Sequence, residues 1–305
     1  MTIRFDDRVA IVTGAGQGLG RSHALLLAAR GAKVVVNDLG GSLDGSGNDA
    51  SPAQQVVDEI RANGGEAVPN FDSVAEPDGA KNIAAAAMDT WGRVDILVNN
   101  AGILRDKLFV KMNLDDFEAV VRVHLLGSAY MSKAVFPHMR KARYGRIVMT
   151  TSAAGLYGNL AQANYASAKM GIVGLMNALK IEGLKSKIRV NTISPVADTR
   201  MGTSVFPDHF KRMIRPELVS AGVAYLASDA CETSGDILIA GAGHFARAQV
   251  VESSGVAFTS EEDVTPEVIA EYWPEITEMA GAKPHEHALA ALEKLYVRVG
   301  GELED

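Results

Sequence analysis

The alternation of short apolar runs with segments of helical periodicity is the feature that most constrains the fold of this chain. Residues 8–13 form the first apolar run, which leads directly into a glycine-rich turn and an apolar-periodic helix. Short apolar runs bounded by turn signals predict buried strands. The same round recurs seven times over residues 1–245, and no linker interrupts it. The sequence therefore predicts an α/β fold with a Rossmann-like, doubly wound parallel sheet of seven strands.

The same pattern gives approximate bounds for the elements. Strands are predicted at residues 8–13, 33–37, 66–71, 94–98, 147–149, 188–193 and 236–240. The longer helices are predicted at residues 78–91, 113–139, 163–182 and 216–227. Residues 40–52 are rich in Gly, Ser and Asp, a composition that predicts a surface loop.

Beyond residue 245 the alternation ends, and residues 246–305 are predicted to form a C-terminal extension. Residues 247–259 alternate like a hairpin that turns at 253–255. Thr265 and Pro266 look like the N-cap and first turn of a helix, and a last helix carries leucines on one face. We expect these helices to pack on the main domain or on a second subunit.

Charge and composition exclude several classes of protein. The 305 residues carry a formal net charge of −7, which argues against a nucleic-acid-binding protein. The single cysteine rules out an internal disulfide and fits a reducing compartment. No apolar run approaches membrane-spanning length, the N-terminus lacks a signal-peptide core, and no constellation of Cys, His and carboxylates supports a metal. The prediction is a cytoplasmic protein with a small-molecule substrate and no nucleic-acid, membrane or metal partner.

The turn after the first strand carries the first binding signal. Gly14, Gly18 and Gly20 allow the backbone to approach a pyrophosphate. The helix that follows this turn offers free N–H groups and the positive end of its dipole, and Gln17 and Leu19 at its start are further candidates for cofactor contact. Because these residues join a strand to a helix, the turn predicts a dinucleotide-binding site.

An acidic residue closes the second strand and bears on the choice of cofactor. Asp38 can accept hydrogen bonds from the ribose hydroxyls of an adenosine, and its charge would repel a 2′-phosphate. No arginine or lysine lies in the glycine turn or directly after Asp38. The predicted cofactor is therefore NAD rather than NADP. The alternative is a solvated aspartate at the end of a strand.

Two further strand ends are predicted to line the same site. Asp72 and Ser73 follow the third strand and would lie along the adenine. Asn100, Ala101 and Gly102 follow the fourth strand and would lie behind the ribose. Both assignments depend on the strand order, and the Asn-rich turn could equally be a simple strand exit.

Three polar side chains cluster around the fifth predicted strand. Tyr165 and Lys169 stand four residues apart, so they share one face of a helix, and Ser152 follows the strand. A phenol is protonated at neutral pH unless a neighbouring cation lowers its pKa, and the ammonium of Lys169 would have that effect. The serine hydroxyl can hold a carbonyl oxygen beside the phenol. The trio predicts proton transfer coupled to hydride exchange with the cofactor.

Together, the glycine turn, the NNAG segment, the serine, the YxxxK pair and the seven strand–helix rounds resemble the short-chain dehydrogenase/reductase superfamily over about residues 5–245. A narrower resemblance covers nearly the whole chain. It is to the (3R)-hydroxyacyl-CoA dehydrogenase unit of type 2 peroxisomal multifunctional enzymes, also called 17β-hydroxysteroid dehydrogenase type 4, and to bacterial stand-alone relatives. The similar segments include residues 34–41, 99–109, 122–130 and 144–159.

The resemblance implies an oxidoreductase with defined roles for the trio. Tyr165 is the implied catalytic acid/base, Lys169 holds the cofactor ribose and lowers the pKa of the phenol, and Ser152 orients the substrate oxygen. The implied reaction exchanges hydride between NAD(H) and a secondary alcohol or ketone, with a (3R)-hydroxyacyl-CoA of fatty-acid or steroid side-chain breakdown as the leading substrate. Two alternatives stay open: a hydroxysteroid dehydrogenase that acts on a ring hydroxyl, and a non-catalytic NAD-binding or sensing protein.

Two positions depart from the superfamily pattern. His124 stands where most members have an asparagine that helps to hold a water of the proton relay. Its position on an otherwise apolar face leaves a relay role and a buried structural role equally open. Pro195, after the sixth strand, is followed by Val196 instead of the usual glycine. Thr199 is the candidate for the contact with the nicotinamide amide.

Substrate selection is predicted to depend on residues that follow Ser152 and on residues 199–216. The apolar candidates are Leu156, Tyr157, Met201 and Phe206. Lys211 and Arg212 would meet the phosphates of coenzyme A or lie on a solvated helix face.

The resemblance also implies a homodimer or homotetramer. The interface would use the helices near 113–139 and 163–182, which carry more apolar residues than one buried face needs. The examples in the second helix are Ile172, Val173, Leu175 and Met176.

Overall fold

The computed structural model of the chain describes residues 2–199, 207–258, 260 and 264–300. Its strands are β1 (Val9–Thr13), β2 (Lys33–Asn37), β3 (Ala67–Asn70), β4 (Ile96–Asn99), β5 (Gly145–Thr150), β6 (Ile188–Val196), β7 (Ile237–Gly241) and β8 (His244–Ala248). They form one sheet in the order β3-β2-β1-β4-β5-β6-β7-β8. All neighbours from β3 to β7 are parallel, so the predicted doubly wound sheet of seven parallel strands is confirmed.

Helices cover both faces of this sheet. In the first 247 residues they are α1 (Gly18–Ala29), α2 (Ser51–Ala62), α3 (Pro77–Trp91), α4 (Leu114–Val121), α5 (Gly127–Ala142), α6 (Ala153–Tyr157), α7 (Ala163–Gly183), α8 (Asp208–Lys211) and α9 (Pro216–Leu226). Helix α1 packs against α9, and α3 packs against α5. Because both faces are covered, every residue of β1, β4 and β5 is buried. The chain order reverses between β1 and β4, the switch point at which open α/β sheets bind ligands.

The helix predicted at 113–139 is divided in the structure. Helix α4 ends at Val121, a π-helical turn spans Arg122–Leu126, and α5 begins at Gly127. A π turn inserts one extra residue per turn and changes the direction in which the following side chains project. Two short 3-10 helices, Phe109–Lys111 and Leu184–Ser186, were not predicted.

The predicted turn at residues 253–255 is wrong. The connection between β7 and β8 consists of Ala242 (φ 51°) and Gly243 (φ 77°) alone. Two central residues with positive φ form the tight turn that joins antiparallel strands, so β8 adds an eighth, antiparallel edge strand. In the described part of the stretch after β8, the pairing is one isolated antiparallel bridge between Glu252 and Lys283.

The chain divides into two compact units, residues 1–247 and 248–305. The second unit contains α10 (Pro266–Glu271), α11 (Trp273–Thr277) and α12 (Ala288–Arg298). Thr265 caps α10, because its hydroxyl accepts a hydrogen bond from the Val268 amide at 3.3 Å, as the sequence predicts. What this unit packs against stays a prediction. None of the helices that the structure describes is long and apolar enough to cross a membrane.

The apolar residues that α7 was expected to offer to a second subunit are mostly used inside the chain. Ile172, Val173 and Met176 are buried in the core, and Leu175 is half-buried. The interface prediction is therefore wrong for these three residues. Their burial follows from the position of α7 between the sheet and α4.

Candidate active site

The residues that follow β4 are hydrogen-bonded to the end of β1 at the switch point. The hydroxyl of Thr13 accepts hydrogen bonds from the amides of Asn100 (3.0 Å) and Ala101 (3.2 Å). The Asn100 side-chain amide donates to the carbonyls of Thr13 (3.0 Å) and Gly14 (3.1 Å). Gly14 has φ 63°, and a Cβ there would lie 2.8 Å from the Ala101 Cα, so only glycine fits this turn.

Asp38 lies against the same turn. One carboxylate oxygen accepts from the Gly16 amide and the other from the Gly40 amide, each at 2.7 Å. A carboxylate has about four lone-pair directions, so these two bonds fix its orientation and leave acceptor capacity for hydroxyl groups. The side chain is half-buried, at the position where the sequence predicts contact with a ribose.

Asp72 and Ser73 lie at the end of β3, as the strand order requires. The Asp72 carboxylate accepts from the side-chain amides of Asn70 (2.8 Å) and Asn82 (3.0 Å). The Ser73 hydroxyl accepts from the Ala75 amide at 3.2 Å. These bonds hold the loop after β3 in a fixed form.

One cavity of about 460 Å³ joins these strand ends. Nearly all of the cofactor-binding candidates line it, namely Gly14, Gln17, Gly18, Leu19, Gly20, Asp38, Asp72, Ser73, Asn100, Ala101, Gly102 and Thr199. Three candidates, Pro195, Tyr165 and Lys169, are not among the described residues that line this cavity, and Pro195 lies half-buried near the end of β6.

Sequence reasoning missed a second group of lining residues. It contains Leu39, Gly41, Ser42, Leu43, Gly45, Val74, Ile103, Arg105, Arg122 and Val123. Residues 41–45 belong to the loop that composition alone assigned to the surface. The sequence signal for this role is the glycine content of the loop. In the structure, a Cβ at Gly45 would lie 3.1 Å from the Ile103 side chain, so a glycine allows the loop to approach the cavity wall closely.

Ser152, Tyr165 and Lys169 come together at the end of β5. Ser152 caps α6, where its hydroxyl accepts from the Ala154 amide at 3.2 Å, and its side chain also hydrogen-bonds to Tyr165. Lys169 is only 2% exposed. Its Nζ donates to the Thr150 carbonyl at 2.7 Å and lies 5.4 Å from the centroid of the Tyr165 ring.

Burial controls the titration of both groups. It raises the pKa of Tyr165, an effect that the hydrogen bond from Ser152 opposes and the carboxylate of Asp106 increases. Burial also lowers the pKa of Lys169 to about 7. The sequence predicted a lowered pKa for the phenol, and the structure contradicts this direction. Burial destabilises the phenolate by removing it from water, and this effect on the pKa is larger than the stabilisation by the Ser152 hydrogen bond.

His124 lies in the π turn and is 1% exposed. Its Nε2 is 3.0 Å from the Ile103 amide and 2.8 Å from the Ile103 carbonyl, and its ring meets the Tyr165 ring edge-on at 5.1 Å between centroids. The Nδ1 atom is buried and has no hydrogen-bond partner among the described residues. Burial, followed by the charge of Lys169, holds the pKa of His124 well below its ordinary value, so the ring is neutral.

The structure describes only part of the predicted substrate surface. In α6, which Ser152 caps, Leu156 is half-buried and Tyr157 is 70% exposed. Met201 and Phe206 lie outside the described residues. Lys211 lies 3.4 Å from the Asp208 carboxylate, and Arg212 is exposed.

A buried lysine and a phenol lie at the carboxyl edge of the parallel sheet, next to a glycine-lined cavity with a fixed aspartate, which is the arrangement that the sequence predicts for an oxidoreductase site on a Rossmann-like fold. Residues 8–209 match the family model described as short chain dehydrogenase. The chain belongs to the short-chain dehydrogenase/reductase family and is an oxidoreductase that acts on CH–OH groups.

Particular relatives refine this assignment. The chain is 46% identical over 313 residues to the peroxisomal multifunctional enzyme type 2 of Drosophila melanogaster, a match that covers 99% of this chain and 52% of that protein. The structure of that full-length enzyme superposes with a TM-score of 0.81, at 40% identity, over 97% of this chain and 50% of that one. The present chain therefore spans about half of this relative.

Two further solved structures are similar. A short chain dehydrogenase from Mycobacterium avium has a TM-score of 0.78 at 39% identity, with 92% of this chain and 97% of that one covered. A 7α-hydroxysteroid dehydrogenase, in complex with NADH and 7-oxo glycochenodeoxycholic acid, has a TM-score of 0.71 at 32% identity, over 79% of this chain and 95% of that one.

Proposed function

We propose that this protein exchanges hydride between NAD(H) and the carbon of a secondary alcohol or ketone, and that its substrate is a (3R)-hydroxyacyl-CoA. One observation carries the proposal. The Tyr165 side chain is hydrogen-bonded to Ser152 and lies against the buried Lys169, at the sheet edge where Asp38 faces the glycine turn.

The residues around the cavity fit a dinucleotide. Its volume of about 460 Å³ lies in the range of small-ligand sites. The first amides of α1 would hold the pyrophosphate, Asp38 the adenosine ribose, and Thr199 the carboxamide. When bound, the nicotinamide supplies the hydride acceptor or donor and, in its oxidised form, a positive charge. Asp38 favours NAD, because a 2′-phosphate would meet its carboxylate.

In the proposed oxidation, the Tyr165 oxygen takes the proton of the substrate hydroxyl while hydride leaves the same carbon. The Ser152 hydroxyl, which hydrogen-bonds to Tyr165 in the structure, would turn its one proton to the carbonyl oxygen as that oxygen forms. Lys169 in its protonated form lies close enough to the ring to stabilise the phenolate. In the reduction, Tyr165 returns the proton.

The acyl thioester is favoured by the resemblance of nearly the whole chain to the dehydrogenase unit of the multifunctional enzymes. A second candidate, a hydroxysteroid, is favoured by one comparison: the 7α-hydroxysteroid dehydrogenase that superposes on this fold holds a bile-acid ketone. The exposed Tyr157, at the end of the helix that Ser152 caps, would suit either apolar substrate.

The decisive experiment follows NADH formation by the purified protein with excess NAD. Parallel reactions contain (3R)- and (3S)-hydroxyacyl-CoA of several lengths, 17β-hydroxysteroids and simple alcohols, and each is repeated with NADP. We expect preferential turnover of the (3R) thioesters with NAD. Tyr165→Phe should abolish the signal, whereas Tyr225→Phe, an exposed phenol on α9, should retain it.

The other outcomes separate the alternatives. Turnover confined to steroids would keep the role of Tyr165 and discard the acyl-CoA substrate. Equal or better kcat/KM with NADP would discard the role given to Asp38. Tight NADH binding without turnover of any alcohol would support a non-catalytic sensing protein. A cytoplasmic location and assembly into a homodimer or homotetramer complete the proposal.

A further inference from the structure

The loop of residues 40–49, called here the cofactor loop, is closed upon itself by polar contacts. The Asp44 carboxylate accepts from the amide of Ser46 at 3.0 Å and from its hydroxyl at 2.8 Å. The Ser42 amide donates to the Ser46 carbonyl at 2.8 Å. Hydrogen bonds from these two serines, above all from the Ser42 hydroxyl, lower the pKa of Asp44 to about 2. The aspartate is therefore ionised at neutral pH, and the loop behaves as one preformed unit.

This unit is held to the segment 103–105, which follows the NNAG turn. The Leu104 amide donates to the Leu43 carbonyl at 3.0 Å, and the Arg105 Nε donates to the Asp44 carbonyl at 2.9 Å. Both sides of this junction line the cofactor cavity. The two hydrogen bonds therefore close one wall of the cavity.

Arg105 makes two further contacts, one through its side chain and one through its backbone carbonyl. Its Nη1 lies 3.1 Å from the carboxylate of Asp116 in α4. Its own carbonyl accepts from the side-chain amide of Asn164 at 3.0 Å, and the Asn164 Oδ1 accepts from the Tyr165 amide at 2.8 Å. Asn164 is fully buried. The segment that holds the cofactor loop is thus also hydrogen-bonded to the start of the helix that carries the phenol.

We propose that Arg105 is a positioning residue that holds the cofactor loop over the bound dinucleotide and thereby limits its release. The inference rests on the proposed function, because the dinucleotide is taken to occupy this cavity. The planar guanidinium reaches the Asp44 carbonyl and the Asp116 carboxylate at the same time. A lysine in its place keeps the charge but lacks the planar fork that holds both partners in one fixed geometry.

The test compares NADH dissociation rates by stopped-flow fluorescence, with excess NAD as the displacing ligand. Arg105→Met should raise the rate about tenfold, which corresponds to about 1.4 kcal/mol. It should also raise KM for NAD by more than it lowers kcat. Arg105→Lys should recover part of the lost retention. Asp44→Ala, which opens the loop from the other side, should give a similar increase, and the double variant should not exceed the single ones by much.

Two controls separate the loop contact from the charge pair on α4. Asp116→Asn removes the ionic partner and leaves the bond to Asp44 in place. Lys107→Met removes a second cation near Asp116, at 3.4 Å, from a residue that lies two positions after Arg105. We expect both variants to release NADH at close to the wild-type rate.

Each negative result has its own meaning. If the wild-type protein binds no NADH, the proposed function fails first. If the wild-type protein binds NADH, but Arg105→Met and Asp44→Ala release it at the wild-type rate, the role of Arg105 is wrong and the proposed function stands. An equal increase in Asp116→Asn and Arg105→Met would also overturn the inference, since it would assign the effect to α4. Asp44→Ala keeps the test valid if Arg105→Met does not fold.

Discussion

Lys169 and His124 are two titratable side chains of the site whose charge depends on burial. They are 2% and 1% exposed. Burial lowers the pKa of the lysine to about 7, and it holds the pKa of the histidine well below its ordinary value. Near neutral pH the lysine can therefore change its charge, whereas the histidine stays neutral. Each property leads to a measurable consequence.

Lys169 should make stability depend on pH. In the unfolded chain its pKa is the ordinary 10.5, so between pH 7 and 10.5 the unfolded state binds more protons than the folded state. The free energy of unfolding should therefore rise with pH in this window, by up to about 1.4 kcal/mol per unit, and should show the full cost of burial below it. Urea denaturation at several pH values should show this rise in the wild type but not in Lys169→Met.

The control for this prediction is Lys133→Met, which removes an exposed lysine of α5. Its pH profile should run parallel to that of the wild type. Parallel profiles for Lys169→Met and the wild type would mean that Lys169 keeps an ordinary pKa in the folded protein.

His124→Ala distinguishes a proton-relay role from a structural role. The unpartnered Nδ1 and the edge-on contact with Tyr165 place a neutral ring beside the phenol. If the ring takes part in the relay, kcat should fall about 100-fold while the Kd for NADH stays the same. The matched control is His23→Ala, because His23 is also buried and neutral but bonds to Ser220 between α1 and α9. Unchanged turnover in His124→Ala would support the structural role.

At this scale the sequence identifies the trio but not its electrostatics. The spacing of Ser152, Tyr165 and Lys169 is enough to bring them together, because helix geometry and strand order are regular. The direction of the Tyr165 pKa shift depends on how deeply the phenol is buried, which spacing does not encode. The position of the His124 ring depends on the π turn, which forms within an otherwise regular helical pattern.

At the scale of elements, Asp95 joins β1 to β4 at the sheet edge opposite the site. This buried carboxylate accepts from the Val9 amide at 2.9 Å and from two nitrogens of Arg93 at 2.8 Å. Asp95→Asn should lower the free energy of unfolding by about 3 kcal/mol, since the new amide nitrogen cannot accept from the buried Val9 amide or from the partly exposed Arg93 and would itself be buried without a partner. Equilibrium urea denaturation measures the change, and KM should not change.

The comparison for Asp95 is Asp229→Asn. Arg8 pairs with both carboxylates, with Asp95 at 3.5 Å and with Asp229 at 3.2 Å. The Asp229 side chain is 66% exposed, so the expected loss is below about 1 kcal/mol. Equal losses in the two variants would show that burial does not determine the contribution of Asp95.

Elements were predictable where burial imposes a simple pattern. Strands of a parallel sheet are covered on both faces, so they appear in the sequence as continuous apolar runs. The turn between β7 and β8 was missed because Ala242 is an unusual residue for positive φ, whereas residues 253–255 have a typical turn composition. The role of residues 41–45 as a cavity wall was missed because polar loops on a surface and polar loops over a ligand have the same composition.

At the scale of the whole molecule, the exposed surface of α7 bears on assembly. With Ile172, Val173 and Met176 buried in the core, the helix presents a stripe of Met170, Gly174, Ala178 and Ile181. Their spacing of three and four residues places them on one face, and a Cβ at Gly174 would have no atom within 4 Å among the described residues. The predicted homodimer or homotetramer would bring a second copy against this stripe.

Gly174→Glu tests this arrangement without disturbing the subunit. The new side chain would enter open space, and glutamate favours a helix over glycine by up to about 1 kcal/mol, so the free energy of unfolding of the subunit should not fall. At an interface of two α7 helices, however, it would bury a carboxylate on each copy without a partner. Sedimentation velocity at micromolar concentration should show an oligomer for the wild type and for Thr90→Glu, an exposed position of α3, but a monomer for Gly174→Glu. A wild-type protein that sediments as a monomer would show that the predicted homodimer or homotetramer is wrong. If the Gly174→Glu variant is still an oligomer, the interface does not include this face of α7, because an interface there could not hold two carboxylates without partners.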